Sequence, residues 1–332
     1  MANGARRGKI QGGRGQHVLL AVFILMYAAP ALAVAPPHAE LTRRIAQLTD
    51  KDFRVRWYAV YALGQLGAAS AEAVGPLTQT LVNRQEDEYV RGGAVWALGQ
   101  IGSPAAAAVP ALTEMLGSQL ESVRRNSASA LGNLGPAANS GVPKLVELRH
   151  DEDFMVRILA TVALWQIQHR QESLRWLGEM LHGGQENARR EVAMALGRLG
   201  RDAAPATADL VELLRGPDPD TARAAAWALG QIGPKALEPL RRMLANPDLG
   251  VRRRAVESLG WMQPAPIQDL LGALKNDSPE VRREAARAIG RLGPGAAAAQ
   301  PALLEATGDS VGNVREEAAH ALKQIQRTER GR

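Results

Sequence analysis

Apolar residues recur along this chain with the spacing of helices that pack on one side. In one representative segment they are separated by three or four residues, which places them on a single helical face. These residues are Val90, Ala94, Ala97, Leu98 and Ile101. The spacing predicts an amphipathic helix with one buried stripe.

The same helical segment recurs nine times at a near-constant interval. Its copies share the phrase V-R-x-x-A-x-x-A-L-G-x-L/I-G, and the position of the glycine in A-L-G is called here the glycine slot. The slot falls at residues 64, 99, 132, 165, 197, 230, 260, 290 and 323, so neighbouring copies are 30 to 35 residues apart. A period of this length predicts stacked units, each burying its apolar stripe against its neighbours.

A second, shorter amphipathic segment lies between successive copies. Pro110 and Pro143 fall near the start of two of these segments, where proline is tolerated because a first-turn N–H has no helical partner. Each unit is therefore predicted to contain a helix A, a tight turn, a helix B and a Gly-rich link. Glycines that end most copies are expected to adopt the left-handed conformation of a helix C-terminus. They are Gly67, Gly102, Gly135, Gly200, Gly233 and Gly293.

The repeated phrase, preceded by an acidic residue, resembles the HEAT-like repeat of bacterial scaffold proteins, including the subgroup named after phycobilisome lyases. The resemblance covers residues 39–328. It implies an all-α fold, a right-handed α-α superhelix of about nine two-helix repeats. The repeat is specific for a fold and is reused for many partners.

The first 33 residues have the pattern of an export signal. Residues 1–17 are basic and Gly-rich, residues 18–29 are uninterruptedly apolar, and Pro30 precedes the small-x-small sequence Ala31-Leu32-Ala33. The apolar run is shorter than the roughly 20 residues of a membrane-spanning helix. We expect a signal peptide over 1–33, a solenoid over 34–328 and a polar tail over 329–332. An uncleaved membrane anchor is the alternative.

Charge and cysteine content narrow the choice of partner. Four basic and no acidic residues precede Val34, so removal of the signal would lower the formal charge from +6 to +2. This near-neutral balance argues against nucleic acid. The absence of cysteine excludes disulfides and thiolate metal sites, and no metal or other cofactor is expected.

An arginine follows the consensus valine in eight of the nine units. These arginines are Arg56, Arg91, Arg124, Arg157, Arg189, Arg252, Arg282 and Arg315. In four units an acid lies three residues before the valine: Asp52, Asp87, Asp153 and Asp248. The family resemblance implies that acid and arginine form a ladder of ion pairs between units, weakest at the sixth, where Thr221 and Ala222 hold the two positions. The alternative is an arginine row that binds an anionic ligand.

The resemblance also implies that the outward face of helix B lines the concave side of the array. We expect this face to be aromatic near the N-terminus and basic near the C-terminus. Its aromatic residues are Trp57, Tyr58, Tyr61, Trp96, Trp227 and Trp261, and its basic residues are Arg253, Arg254, Arg283, Arg287 and Arg291. Exposed aromatic rings and arginines are common anchors of protein interfaces. Packing of the rings on neighbouring helices is the alternative.

The sequence favours a non-enzymatic scaffold that is exported to the periplasm or secreted and binds a protein or peptide. No H-E-x-x-H, Walker, G-x-S-x-G or dinucleotide-binding motif is present. Two alternatives remain. One is a bilin lyase-like enzyme subunit, suggested by the repeat subgroup, and the other is a HEAT-like nucleic-acid binder that uses the C-terminal arginines.

The signal pattern makes a direct prediction about the mature protein. Because signal peptidase cleaves after small-x-small sequences, the mature chain should begin at Val34. N-terminal sequencing of the protein from the exported fraction checks this. A mature chain that begins at Met1 would contradict it.

Overall fold

The computed structural model describes residues 38–183 and 186–326. The predicted signal peptide (1–33) and polar tail (329–332) lie outside the described residues. Within the described ranges the chain consists of helices joined by short turns and contains no β-strand. The predicted all-α superhelix of two-helix repeats is confirmed.

Nine pairs of helices follow one another along the described chain. The A helices are α1 (His38–Gln47), α3 (Val74–Val82), α5 (Val109–Met115), α7 (Val142–Glu147), α9 (Gln171–His182), α11 (Thr207–Leu214), α13 (Leu237–Leu244), α15 (Ile267–Ala273) and α17 (Gln300–Ala306). The B helices are α2 (Phe53–Gln65), α4 (Glu88–Ile101), α6 (Glu121–Leu134), α8 (Phe154–Gln168), α10 (Glu186–Leu199), α12 (Pro219–Ile232), α14 (Leu249–Trp261), α16 (Pro279–Arg291) and α18 (Gly312–Gln326). The B helices correspond to the repeated phrase.

The links from helix B to the next helix A are more regular than the sequence suggests. Most of them form short 3₁₀ segments, such as Gly67–Ala73, instead of irregular turns. All six glycines predicted to be left-handed have positive φ, between 53° and 75°. The need for glycine is therefore confirmed, since other residues enter this range only at a steric cost. The left-handed helical conformation is wrong for Gly102, Gly135 and Gly233, whose ψ values near −140° belong to the mirror image of the β region. Pro110 and Pro143 lie in the first turns of α5 and α7, as predicted.

Aspartates begin several of the B helices. The carboxylates of Asp52, Asp87, Asp153 and Asp248 each accept a hydrogen bond from a backbone N–H of the following first turn. Such caps satisfy N–H groups that have no partner within the helix. These aspartates therefore fix where α2, α4, α8 and α14 start.

Glycine in the slot lets adjacent B helices touch through their backbones. A Cβ atom built on Gly99 would lie 2.9 Å from the Cα atom of Ala130 in the next B helix, and one on Gly132 would lie 3.0 Å from the Cα atom of Ala163. No real side chain tolerates such distances. Successive A helices contact one another less than successive B helices do, so the B helices form the more tightly packed layer of the array.

The fourth unit departs from this packing. Trp165 occupies its glycine slot, and α8 and α10 pack less extensively than any other consecutive pair of described B helices. The buried core also changes here. Leu41 to Ile167 contribute to one cluster, whereas Ile158 is buried with the units that follow, in a cluster that extends to Ile325. The buried clusters and the contacts between B helices thus divide the array into two stacks, units one to four and five to nine.

Among the helices of the described residues, none combines the length and the apolar character needed to cross a bilayer.

Two glycines of α4 provide a test of the close packing. Gly99→Ala should destabilise the protein by about 1 to 3 kcal/mol, because its methyl group would overlap Ala130. Gly92→Ala should stabilise it by about 0.5 to 1 kcal/mol, because nothing lies within 4 Å of the new methyl group and alanine favours a helix. Urea unfolding followed by circular dichroism measures both changes. Equal effects of the two substitutions would contradict the packing described.

Candidate interaction surface

The arginines that follow the consensus valine, called here the ladder arginines, form hydrogen bonds with the turn between helix A and helix B of their own unit. The guanidinium group of Arg282 donates to the backbone carbonyls of Asn276 and Asp277 at 2.9 and 3.1 Å. Arg56, Arg124, Arg157, Arg252 and Arg315 donate to the corresponding pair of carbonyls in their own turns. Each of these arginines therefore braces the connection between helix A and helix B.

Three ladder arginines also reach the next unit. Each forms a bidentate ion pair, with two guanidinium nitrogens 2.7 to 2.9 Å from the two carboxylate oxygens. The pairs are Arg56 with Glu86, Arg124 with Asp151, and Arg282 with Asp309. The prediction that Asp52, Asp87, Asp153 and Asp248 pair with the ladder arginines was wrong. Three of them serve as helix caps, and Asp153 combines a cap with an ion pair to Arg125. The ladder partners lie earlier in the turn, where a carboxylate reaches the arginine of the preceding unit.

The ladder is discontinuous, and its gaps are not confined to the sixth unit. There Thr221 and Ala222 are buried, and Arg223 pairs at the surface with Asp220 of its own helix. Among the described contacts, Arg91, Arg157, Arg189 and Arg252 also lack an acid in the next unit. Arg91 instead donates to the carbonyl of Leu81, and Arg189 contacts Glu186 within its helix.

The ion pairs shift the pKa values of the carboxyl groups. Hydrogen bonds from Arg282 hold the pKa of Asp309 below its usual range. Burial alone would raise the pKa of Asp151, but the hydrogen bonds and charge of Arg124 outweigh it and lower that pKa. These two carboxylates therefore stabilise the fold in their ionised form.

The outward face of the B layer is defined by four positions in each unit: seven, six and three residues before the glycine slot and one after it. These are called here the inner-face positions. In the first unit these positions hold Trp57, Tyr58 and Tyr61, and in the second unit they hold Trp96, as predicted for the N-terminal end of this face. The third and fourth units have no aromatic residue at these positions. In units one to four the inner-face positions contain a single charged residue, Arg125, which is paired with Asp153.

The N-terminal aromatic residues stack on one another. The rings of Trp57 and Tyr61 are nearly parallel with centroids 5.6 Å apart, and Tyr61 stacks on Trp96 at 5.4 Å. Trp57 and Trp96 also pack against the buried core. Tyr58 is 61% exposed and meets Trp57 edge-on. The stack joins the first two units, and Tyr58 presents the most solvent-exposed ring of this group.

The inner-face positions of units five to eight are strongly basic. They carry eight arginines and three glutamates: Arg190, Arg198, Arg223, Arg253, Arg254, Arg283, Arg287 and Arg291, with Glu191, Glu257 and Glu284. Trp227 packs over Gly197, and Arg291 lies 5.0 Å from the ring of Trp261. The arginines of units seven and eight were predicted for this face, whereas Arg190, Arg198 and Arg223 of units five and six were not. For Arg190 and Arg223 a signal existed in the sequence. Their position directly after the ladder position was the available signal.

A buried carboxyl group organises part of this basic region. Glu284 is 6% exposed and lies 3.5 to 3.6 Å from the guanidinium groups of Arg287 and Arg291. Burial raises its pKa, and the two arginines act in the opposite direction. Arg287 also contacts Glu317 of the ninth unit at 3.2 Å. Arg287 and Arg291 are therefore partly neutralised within the fold.

The Nε atoms of Arg253, Arg254 and Arg283 are covered from solvent and have no hydrogen-bond partner in the described chain. Arg283 lines a shallow depression of about 300 Å³ together with Asn313, Glu316, Glu317 and His320. The described residues contain no group of three or more side chains that could hold a metal ion. The distinctive chemistry of this surface is thus positive charge.

Comparison with known proteins identifies the repeat. The family model described as HEAT repeats matches residues 41–132, 76–164, 142–209, 207–277 and 267–331, which together span nearly all of the described chain. No curated protein sequence matches the chain.

Solved structures with similar folds share little sequence with this chain. An engineered protein is 23% identical, with a TM-score of 0.41, and the match covers 88% of this chain and 92% of the engineered one. Kap95p, from a study of its binding to RanGDP, is 15% identical with a TM-score of 0.48, and the match covers 95% of this chain and 50% of that one. Kap95 in the Kap95:Nup1 complex is 15% identical with a TM-score of 0.50, and the match covers 87% and 46% of the two chains. This chain thus spans about half of Kap95, and the likeness concerns the fold.

Replacement of a ladder carboxylate should lower stability in a pH-dependent manner. Asp309→Asn should cost about 1 to 3 kcal/mol near neutral pH, because it leaves the mostly buried guanidinium of Arg282 without its counter-charge. The pKa of Asp309 is lowered in the folded state, so its ionised form stabilises the fold at pH values above the unfolded pKa of about 3.9. Wild type loses this contribution as the pH falls through the lowered pKa, and the difference between the proteins should close.

Urea unfolding at neutral pH and at about pH 3 measures this difference. Asp220→Asn is the matched control, because the pair of Asp220 with Arg223 is exposed and should contribute less than about 0.5 kcal/mol. A difference between wild type and D309N that does not change with pH would rule out the ion pair as its cause.

Proposed function

The chain belongs to the HEAT-repeat family, and from this premise we propose that it is an exported, non-enzymatic scaffold that binds a protein or peptide through the inner face of its B helices. One observation carries the proposal. The inner-face positions hold four aromatic residues and a single charged residue in units one to four but eight arginines in units five to eight, although the buried positions keep the same pattern. Structure alone requires no such difference.

The chemistry of the inner face suits protein partners. Aromatic rings and arginines dominate the binding energy of many protein interfaces, because both offer a large contact area together with directional contacts. Tyr58 and Trp261 are exposed large side chains on this face, and Arg223 is 65% exposed. A curved array of repeats offers an extended surface on which such anchors can act together.

Export is the second part of the proposal and rests on the sequence of residues 1–33, which combines a basic start, an apolar run and a small-x-small end. The two alternative functions keep their own tests. Transfer of a bilin to an acceptor protein by the purified chain would support the lyase hypothesis, and salt-sensitive binding of an oligonucleotide would support the nucleic-acid hypothesis.

Site-specific photo-crosslinking tests the proposal in the exported fraction. A photoreactive amino acid placed at Tyr58, Trp96 or Arg223 reports contacts of the inner face, and one placed at Glu147, Arg175 or Arg242 reports contacts of the layer of A helices. All six sites are at least partly exposed. We expect partner adducts from inner-face positions. Adducts from the A-helix positions alone would overturn the binding face, and the absence of the protein from the exported fraction would overturn the localisation.

A further inference from the structure

Four arginines occupy the same position in four consecutive B helices. Arg190, Arg223, Arg253 and Arg283 each lie seven residues before the glycine slot of units five to eight. Equivalent positions of stacked helices lie side by side, so these residues form a row along the inner face of the second stack. The first stack has only one arginine at this position, Arg125, and Asp153 neutralises it.

The fold uses little of the charge of this row. Arg190 and Arg223 pair only with exposed or partly exposed acids of their own helices, Glu191 and Asp220. Such pairs contribute little, because water competes for both partners. Among the described residues Arg253 and Arg283 form no ion pair within 4 Å. Their charges nevertheless contribute to lowering the pKa of the nearby Glu280.

A second observation concerns the hydrogen-bond donors of the row. The Nε atoms of Arg253 and Arg283, and that of the adjacent Arg254, are shielded from solvent and have no acceptor in the described chain. A shielded N–H group without an acceptor is unfavourable. A ligand that brings carboxylate oxygens to the guanidinium groups on this face would supply the counter-charge that they lack.

The spacing of the row selects the conformation of the ligand. Helices in close contact have axes about 8 to 10 Å apart, and the B helices of units five to eight meet through their glycine slots. A polyproline II segment advances about 9 Å per turn of three residues, which aligns every third side chain on one face. A β-strand repeats each face after about 7 Å, and one strand of DNA carries a charge every 3.4 Å or so. An acidic polyproline II segment fits best.

Two tryptophans lie within the same stretch of surface. Trp227 is at an inner-face position of the sixth unit, and Trp261, which is 38% exposed, is at one of the seventh. Proline-rich segments in this conformation dock on aromatic side chains. The row and the tryptophans thus offer contacts for both the acidic and the proline residues of one segment.

We propose that the arginine row of units five to eight binds an extended, proline-rich segment of a partner protein that carries an acidic residue at every third position. The inference rests on the proposed function, since it specifies which kind of protein segment the inner face takes. The segment lies along the row, with one carboxylate at each of the four arginines and its prolines against Trp227 and Trp261.

Fluorescence anisotropy of labelled peptides with the full mature chain tests the proposal. The probe is a peptide of about 12 residues with glutamate at every third position and proline elsewhere, which spans the row. A peptide of the same composition with its glutamates contiguous is the register control. We expect the first peptide to bind more tightly than the second, and its affinity to fall with added salt.

Two double variants of equal charge change separate the row from general electrostatics. R253Q/R283Q should weaken binding of the patterned peptide about 10- to 100-fold, because each arginine contributes a charge-assisted contact. R175Q/R242Q removes two exposed arginines from A helices and should leave binding unchanged. Thermal unfolding of both variants verifies that they fold.

Three results of these binding experiments would contradict the proposal. Equal binding of the two peptides, or equal loss in the two variants, would overturn the proposal. Competition by a single-stranded oligonucleotide, with no preference between the peptides, would assign the row to nucleic acid and overturn it as well. Partner adducts at Tyr58 or Trp96 without peptide binding would refute this inference and leave the proposed function standing.

Discussion

Backbone contact between adjacent B helices is the constraint on which the rest of this structure depends. Gly99 and Gly132 have no room for a side chain, since a Cβ atom on either would lie within about 3 Å of the backbone of the next helix. Alanine lies opposite each of them. Small residues at both sides of the contact set the separation of the units and, through it, the spacing of every side chain that the layer of B helices presents.

Tryptophan replaces this glycine in the fourth unit, where the contact between B helices is also reduced. α8 and α10 pack less extensively than the other consecutive pairs of described B helices, and the buried cluster that begins at Leu41 ends in this unit. The two stacks carry different surfaces, with aromatic rings in units one and two and arginines in units five to eight. The position of Trp165 thus coincides with a boundary in both packing and surface chemistry. In the last unit Lys323 occupies the slot, where the described chain has no further helix to contact.

Arginine serves two purposes at adjacent positions of the same helix. At the ladder position Arg282 turns toward the loop and pairs with Asp309, and both side chains are largely buried. One residue later, Arg283 forms no ion pair within the described chain. A step of one residue rotates a helical side chain by about 100°, which suffices to move it from the inter-unit turn to the inner surface. In the seventh and eighth units the motif V-R-R therefore places an arginine that holds the turn next to one that lies at an inner-face position.

Sequence periodicity by itself determined the helical units, their number, the glycines of positive φ and the prolines of the first turns. These features depend on local rules that hold wherever the pattern recurs. The glycine slot also located each B helix in the sequence. The sequence did not show that adjacent B helices approach closely enough to require a glycine there. Residues 1–33 and the role of the surface residues in binding stay predictions.

Only the tertiary structure decided which acid meets which arginine. Asp87 and Glu86 are neighbours in the chain, yet one caps a helix and the other pairs with Arg56 of the preceding unit. The choice depends on where each carboxylate lies relative to another unit, and spacing along the chain does not encode this distance. The stacking of Trp57, Tyr61 and Trp96 and the division of the core at Trp165 arise in the same way. Local patterns specify helices, whereas the contacts between units follow from how closely the helices can approach.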